Sequence, residues 1–580
     1  MPKIEVNEEV FYALAGCRWD TREAFEEALS CAKAELDEDS DKSLPLAERI
    51  LKIELNDTNR PDLWGTAGCA RQLRGYGRGG RREYPFFSTP RKSQKAGKKI
   101  LVEPEVRQVR PFIAGFIASG KAVSDAALRD MIQTQEKLAW NFGRKRRILS
   151  MGLYRTVLIR WPVIYKGVDP DSVSFTPLQW EVPLTLREIL RQHPKGREYA
   201  FIQEQEPLHP LLVDAEGKIL SYPPIINSAD LGAVQVGDSD LFVEITGADM
   251  PSVLLGASIA ACDLADQGYA IEPVEVEYAY DTPFGRKVTT PYYFQKPVFC
   301  SLERIETFLG EKLEADVCVD ALARMGVLAE ASRSAESGSD QETDGVTVYP
   351  PEYRNDFLHA ADVVEDVMIG RGLGAFAPLR PRDFTIGRLR PITLFSRRVK
   401  DIFIGMGYQE MIYNYLGSRK NLADKMRSSG EGLIRIANPM TENYEYLRDS
   451  TLASLLMSES ASGHSAYPHR IFEVGKVAYR DPAEITGTRT RQYAGFLTAD
   501  RDATFNTIAG HLQSLFYYLS KEYTLEESKD SRFISGRAAE IRYTGRAVGV
   551  FGEVHPETLE NWGLSVPCSA GELDLDALLV

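Results

Sequence analysis

The chain has 580 residues, 43% of them hydrophobic, and a formal net charge of −14. That length calls for several domains at roughly 100–200 residues each, and the acidic balance excludes a general nucleic-acid coat while leaving room for local basic tracks. No apolar run reaches the roughly 18–20 residues needed to span a bilayer, the acid-bearing N-terminus lacks the apolar stretch of a signal peptide, and the seven cysteines include no Cys-x-x-Cys, which argues against zinc and a disulfide framework and fits reduced cytosol.

Residues 1–90 read as a small mixed α/β module. Asn7–Leu14 and Thr21–Lys33 have helical patterning and Leu51–Leu55 alternates as a strand. Asn59-Arg60-Pro61-Asp62-Leu63 then leads into a helix running through Arg74, with Asp62 or Thr58 placed to cap it. Arg74–Lys99 is rich in Arg, Lys, Gly and Ser and reads as a linker whose charge can meet phosphate. Residues 91–285 form a larger α/β unit. Its elements are a strand near Arg110–Ile117, a helix over Ser124–Asn141, a basic tetrad Arg144–Arg147 and a strand Ile148–Tyr154. A helix over Thr185–Arg191, a hairpin over Leu211–Ile219, and Ser221-Tyr222-Pro223-Pro224-Ile225-Ile226-Asn227-Ser228 follow. The alternating strand Leu241–Ile245 runs through Thr246-Gly247-Ala248-Asp249 into a helix over Val253–Gln267. Asn227, Ser228, Thr246 and Asp249 are polar groups at strand ends and turns, suited either to a polar pocket or to satisfying local backbone.

Residues 293–374 read as a compact domain with helices over Leu302–Leu309 and Ala315–Met325, a loop of low hydrophobicity over Ser332–Gly345 and a strand Val346–Tyr349. Pro350 and Pro351 force an extended lead-in. The pattern is helical from about Phe357 and is ended by Gly370, Gly372 and Gly374. Asp362, Glu365 and Asp366 fall on one helix face at i, i+3, i+4, and Asp356 can fold back toward it. Two readings stand: the acids hold a hard divalent cation such as Mg²⁺, or Asp356 caps the helix and the rest decorate an acidic first turn. In residues 375–580 a helix begins at Thr393 and is stopped by Gly407. Tyr408–Leu416, Ile471–Val477 and Val548–Val554 read as strands, Leu452–Ser460 as a helix, and a Glu572-Leu573 strand stands at the end.

Four of these stretches together resemble the beta subunit of phenylalanyl-tRNA synthetase in its short archaeal/eukaryotic-type form. They are Asn59–Leu63 with Gly68-Cys69-Ala70-Arg71; Ser221–Ser228 with Thr246–Asp249; Pro350–Gly372 with Arg354, Asp356, His359, Asp362, Glu365 and Asp366; and the run of Asn438-Pro439, Phe472-Glu473-Val474-Gly475 and Gly552-Glu553-Val554-His555-Pro556. The resemblance implies a multidomain α/β and α+β fold: an N-terminal module (1–90), an editing domain (91–285), a winged-helix-like domain (293–374) and a degenerate class II synthetase antiparallel-sheet domain (375–580). It assigns Asp356, Asp362, Glu365 and Asp366 to Mg²⁺ shared with an alpha subunit, and Asn227, Ser228, Thr246 and Asp249 to an editing pocket. A Phe pocket cannot strongly reject an analogue that only adds a hydroxyl, so Tyr needs a second, phenol-binding site.

Two positions depart from the family pattern: Ala139 stands where it has His, and Ala248 where it has Thr. No glycine-rich strand ending in Arg follows Gln492, so adenylation with ATP is expected in the alpha subunit and no residue here is a candidate for it. The implied partners are the alpha subunit in an α2β2 assembly, tRNA(Phe) and phenylalanine. No membrane is implied, and the location is cytoplasmic. The longer bacterial form's extra modules are not expected, because Val580 follows the core's last strand. A stand-alone hydrolase of mischarged tRNA and a non-catalytic tRNA-binding scaffold are the alternatives.

Overall fold

Side-chain caps set the helix starts in the first half of the chain. Asn7, Thr21, Ser124 and Asp249 accept backbone N–H groups at the starts of Glu8–Ala15, Arg22–Leu29, Asp125–Lys137 and Met250–Asp266, satisfying donors that the first helical turn leaves over. The computed structural model describes residues 2–57, 59–79, 81–87, 97–335, 342–382 and 384–580. It divides into two compact units, Met1–Leu379 and Arg380–Val580. The helix Thr66–Arg78 has no side-chain cap. Asp62 is turned back to Arg60 instead, at 2.8 Å from both its Nε and Nη2; Thr58, the other expected cap, lies outside the described residues. Residues 80 and 88–96 of the expected linker do too.

Among the described residues three larger sheets and a two-stranded pair, Ser174–Phe175 with Leu184–Thr185, build the first unit. The first sheet pairs Lys3–Asn7, Ile50–Leu55 and Ala34–Glu38. The largest has ten strands, nine of them on one path: Ile226–Asn227, Ile219–Tyr222, His209–Val213, Val163–Val168, Lys98–Val102, Ala270–Tyr278, Phe112–Ser119, Leu241–Gly247 and Leu149–Arg155. Lys98–Val102 pairs in parallel with both its neighbours, and the other pairs are antiparallel. The helix Met250–Asp266 is buried over most of its length against this sheet, as its nearly continuous apolar sequence demands. Its core is continuous with that of residues 4–87.

The third sheet, Val298–Ser301, Glu342–Tyr349 and Leu328–Ala335, packs with the helices Leu302–Leu309, Ala315–Arg324 and Ala360–Arg371. Residues 332–335 and 342–345 are therefore ladder strands rather than the loop expected from their composition. Pairs such as Ser332–Gly345 and Arg333–Asp344 carry the ladder, because main-chain hydrogen bonds do not require apolar side chains. Residues 336–341 lie outside the described residues. The acidic helix begins at Ala360, not Phe357, and His359 rather than Asp356 caps it, its Nδ1 accepting from Ala361 N.

The second unit is built on a seven-stranded sheet in the order Gln409–Glu410, His469–Arg480, Thr488–Ala499, Cys568–Asp574, Arg546–Val554, Phe533–Tyr543, Thr524–Glu527, beside a small sheet of Leu416–Gly417, Tyr446–Leu447 and Ile434–Arg435. Its strands alternate between two cores. Phe472, Phe496 and Phe551 face the helices Pro391–Gly405 and Phe505–Leu519, while Leu497, Ala570 and Val554 face Leu452–Ala461. Tyr408–Leu416 is not one strand; only Gln409–Glu410 and Leu416–Gly417 pair. A short helix, Leu575–Leu579, follows the last strand, where the sequence suggested strand to the end.

One glycine sets the seat of the acidic helix. A Cβ on Gly370 would lie 2.1 Å from the carbonyl oxygen of Ala321, so the two helices touch backbone to backbone. Gly370→Ala is expected to lower stability by about 1–3 kcal/mol, the cost of overpacking. Urea unfolding measures it, and an unchanged midpoint counts against this contact.

Candidate functional site

A cavity of about 360 Å³ opens beside the strand Leu241–Gly247, walled by Ile132, Leu153, Pro224, Ile226 and Asn227 and bordered by Glu244. Glu244 is 2% exposed. In register it lies opposite Gly115 on one side and Gly152 on the other. A Cβ on Gly152 would come within 2.5 Å of Glu244 Oε1, so the glycine makes room for the carboxylate. The Tyr154 hydroxyl stands 3.0 Å from that Oε1 and 2.7 Å from Ser221 Oγ. Glu244 Oε2 is buried and has no partner. Burial pushes the Glu244 carboxyl up to about 7 against the Tyr154 hydrogen bond and the Arg110 charge. The site therefore offers an apolar slot bordered by one unspent, strong acceptor.

The four residues expected to form this pocket separate. Asn227 borders the cavity, its Nδ2 donating to Gly232 O at 3.4 Å. Ser228 is buried in the following turn, where its Oγ accepts from Leu231 N. Thr246 serves Arg110, whose Nε donates to Thr246 Oγ1 at 3.0 Å. Burial of that guanidinium lowers it to about 10. Asp249 caps its helix by accepting from Ser252 N and Oγ. Glu244, Tyr154 and Ser221 were missed. The signal was an acid in the middle of an apolar strand, because a buried polar group is the informative exception.

The acidic helix answers its charges within the first unit. Arg354, 1% exposed, forks onto two carboxylates: Nε and Nη2 donate to Asp356 at 3.0 and 2.6 Å, and Nη1 and Nη2 to Asp366. Burial works against the Asp356 anion, but Arg354 outweighs it, and Arg60, 4.0 Å away, adds to that, leaving the carboxyl lowered to about 2. Asp362 Oδ2 accepts from Leu358 N and His359 N at 2.8 and 2.7 Å. Glu365 receives Lys33 Nζ at 2.7 Å. Among the described residues no three His, Cys, Asp or Glu side chains converge as a metal set. The four acids expected to share Mg²⁺ thus do not fit a self-contained site, since a guanidinium already lies between two of them.

In the second unit the buried arginines are likewise spent. Arg448 makes a two-pronged pair with Glu473 at 2.7 and 2.9 Å, both side chains nearly fully buried. Arg532 binds Asp530 and Glu572. Neither guanidinium is left for a triphosphate, which needs free, fixed cations.

Over its whole length the chain is 45% identical to the phenylalanine–tRNA ligase beta subunit of Treponema pallidum subsp. pallidum, and the match also covers 100% of that protein. The chain belongs to the phenylalanine–tRNA ligase beta-subunit family. The beta subunit of Borrelia hermsii is 44% identical, with both chains covered in full. Residues 298–373 match the tRNA synthetase B5 domain and residues 379–575 the phenylalanyl tRNA synthetase beta chain CLM domain. A crystal structure of an N-terminal fragment of the beta subunit from Pyrococcus horikoshii superposes with a TM-score of 0.57 at 32% identity, covering 64% of this chain and 100% of the fragment.

Two outcomes test these beta-subunit sites. Arg354→Met strands Asp356 and Asp366 as buried charges and is expected to cost about 3–5 kcal/mol in urea unfolding; a loss under 1 kcal/mol contradicts the fork. Glu244 binds its proton more tightly folded than unfolded. Its contribution to stability is therefore full below its ordinary value of 4.5 and lost as pH rises through about 7. Glu244→Gln should accordingly gain on the wild type between pH 5 and pH 8, by ~3 kcal/mol at the upper end. A difference that does not vary with pH contradicts the shift.

Proposed function

We propose that this chain is the beta half of a phenylalanine–tRNA ligase that, with an alpha subunit, joins phenylalanine to tRNA(Phe) at the expense of ATP, and that its cavity hydrolyses tyrosine wrongly esterified to that tRNA. The names of its relatives support the first part. Adenylation is assigned to the alpha chain, in keeping with the spent arginines Arg448 and Arg532. Phe384, Ile386, Ile412 and Met440 are each at least 84% exposed, and apolar side chains left in water fit a surface that a partner covers. We read 91–285 as the editing domain, 293–374 as winged-helix-like and 375–580 as a class II-like core without its chemistry. Bacterial relatives matched over 100% of both chains support a form of this length, and the archaeal/eukaryotic-type assignment rests on the motif resemblance alone. An α2β2 assembly in the cytoplasm follows the family pattern, and no helix is long and apolar enough to cross a membrane. Of the magnesium set we retain only the half-buried Asp362 and Glu365, with the partner supplying the remainder.

One observation carries the editing reading: the unpartnered Glu244 oxygen beside an apolar slot. A tyrosine side chain inserted there donates its phenol proton to Glu244. A phenylalanine ring in the same place leaves a buried acceptor unpaired, and a site of that kind rejects the analogue lacking the hydroxyl. The cavity lining contains no histidine or cysteine. This chain's residues therefore bind and sort the amino acid, and water attacks the ester carbonyl.

Glu244→Ala in the assembled enzyme is expected to lower kcat/KM for hydrolysis of Tyr-tRNA(Phe) by about 100-fold or more, the value of a lost hydrogen bond to a buried charged group. Phe-tRNA(Phe) hydrolysis should change little. Deacylation of purified mischarged tRNA reads both, and equal turnover by wild type and variant removes the cavity from editing.

A further inference from the structure

The basic stretch that opens at Arg74 begins as helix, and it curls round a hollow. The helix Thr66–Arg78 sets Arg71, Arg74 and Arg78 at i, i+3 and i+7, with Gly75 among them on the same strip. Arg81 and Arg82 follow its end, and these five arginines line one hollow of about 340 Å³. The facing wall is Met325, Gly326 and Tyr353, so the hollow lies where the N-terminal module meets residues 293–374. Among the described residues Asp62 is the one carboxylate in the lining, and Arg60 already holds it.

Like charges at this helical spacing repel one another, and only part of the charge is answered. Arg71, 7% exposed, sends Nη1 to Asp263 at 3.1 Å and to Asp266 at 2.7 Å. Its guanidinium stacks 4.0 Å over the Tyr353 ring, yet its Nη2 is buried without a partner. Arg82 takes the other oxygen of Asp266 at 2.7 Å. Arg81 reaches Glu352 through Nη2 at 2.5 Å, while its buried Nε has no partner. Arg78 donates to the uncharged Gly16 O. Arg74, half-buried, meets no carboxylate among the described residues. A buried donor left unmade is costly, and two of them here border the same hollow. Its floor is bare: a Cβ on Gly75 would meet nothing nearer than 3.5 Å, and one on Gly79 nothing within 4 Å.

We propose that this hollow binds the phosphate chain of a small di- or triphosphate, either inorganic or carried by a nucleoside. Guanidinium forks meet phosphate oxygens two at a time, and here Arg71 and Arg81 bring unspent donors while Arg74 and Arg78 bring charge. About 340 Å³ stands at the small end of ligand sites, room for two or three linked phosphates but not for a base as well. The face of Tyr353 is already covered by Arg71, so no ring is offered to a base, and the site reads phosphate alone. A bound anion offsets the repulsion along the helix strip and ties the helix Thr66–Arg78 to the wall at Met325–Gly326. The assignment does not rest on the editing reading.

The test uses the assembled enzyme with its adenylation site filled by a non-hydrolysable phenylalanyl adenylate, and the Arg74→Gln/Arg78→Gln double variant, which leaves the ion pairs of Arg71, Arg81 and Arg82 in place. Calorimetric titration with inorganic pyrophosphate should show one site per chain in the wild type and at least tenfold weaker binding in the variant, the scale of lost hydrogen bonds to a charged group. ATP and GTP should bind alike and adenosine not at all. Without ligand the variant should melt no lower than the wild type, because it relieves like-charge repulsion; pyrophosphate should raise the melting temperature of the wild type alone. Where the double variant does melt lower by itself, Arg74→Gln alone is titrated in its place. No uptake by the wild type, or uptake by the variant equal to it, overturns the proposal. Displacement of pyrophosphate by tRNA(Phe), with a matching loss of tRNA affinity in the variant, makes these arginines a nucleic-acid backbone contact and overturns the small-anion assignment.

Discussion

A carboxylate held between two glycines in the middle of a sheet is the constraint on which the functional part of the first unit depends. Glu244 faces Gly115 and Gly152 across the ladder; Phe242 and Ile100 close over the first glycine, and the Tyr154 hydroxyl and the carboxylate itself fill the space over the second. Tyr154 holds one of its oxygens and leaves the other. Burying a carboxylate without a cation in contact is expensive, and the elevated affinity for a proton is the trace of that expense. A fold gains nothing from leaving such a group half-answered; a site that must recognise a hydroxyl does.

The second buried charge problem in this unit is solved differently. Arg60 with Asp62, and Arg354 with Asp356 and Asp366, form a chain of forks joining the N-terminal module to the foot of the acidic helix, and Lys33–Glu365 adds a rim contact. Asp62, Asp356 and Asp366 are thus each answered by a guanidinium. A spacing that puts acids on one helix face does not say what answers each of them; here a guanidinium meets two. Arg354, two residues before Asp356, reaches both acids because its five donors are arranged as a fork.

Much of the fold was legible in the sequence. The helices expected at Asn7–Leu14, Thr185–Arg191 and Leu302–Leu309 and the strands around Ile471 and Val548 follow local rules that the tertiary structure leaves standing. The failures were tertiary. Residues 332–335 and 342–345 pair despite polar side chains, and Asp62 left its cap for Arg60. At the candidate site, Asn227 was named and borders the cavity. Thr246, Ser228 and Asp249, polar groups at strand ends and turns for which serving local structure is the other reading, serve Arg110, a turn and a helix start. Glu244 was passed over because one acid inside Leu-Phe-Val-Glu-Ile-Thr reads as ordinary alternation until its cross-strand partners, both glycines, are known.

The most direct measurement is binding rather than turnover. An adenosine carrying tyrosine through a 3′-amide cannot be hydrolysed, and its phenylalanine counterpart differs by one oxygen. Calorimetric titration of both into the assembled enzyme, with the adenylation site blocked, should show the tyrosine form bound at least 100-fold more tightly, as expected for a phenol meeting an otherwise unpaired buried acceptor. Equal affinity for the two would mean that Glu244 does not read the hydroxyl, and the account of this cavity would be wrong.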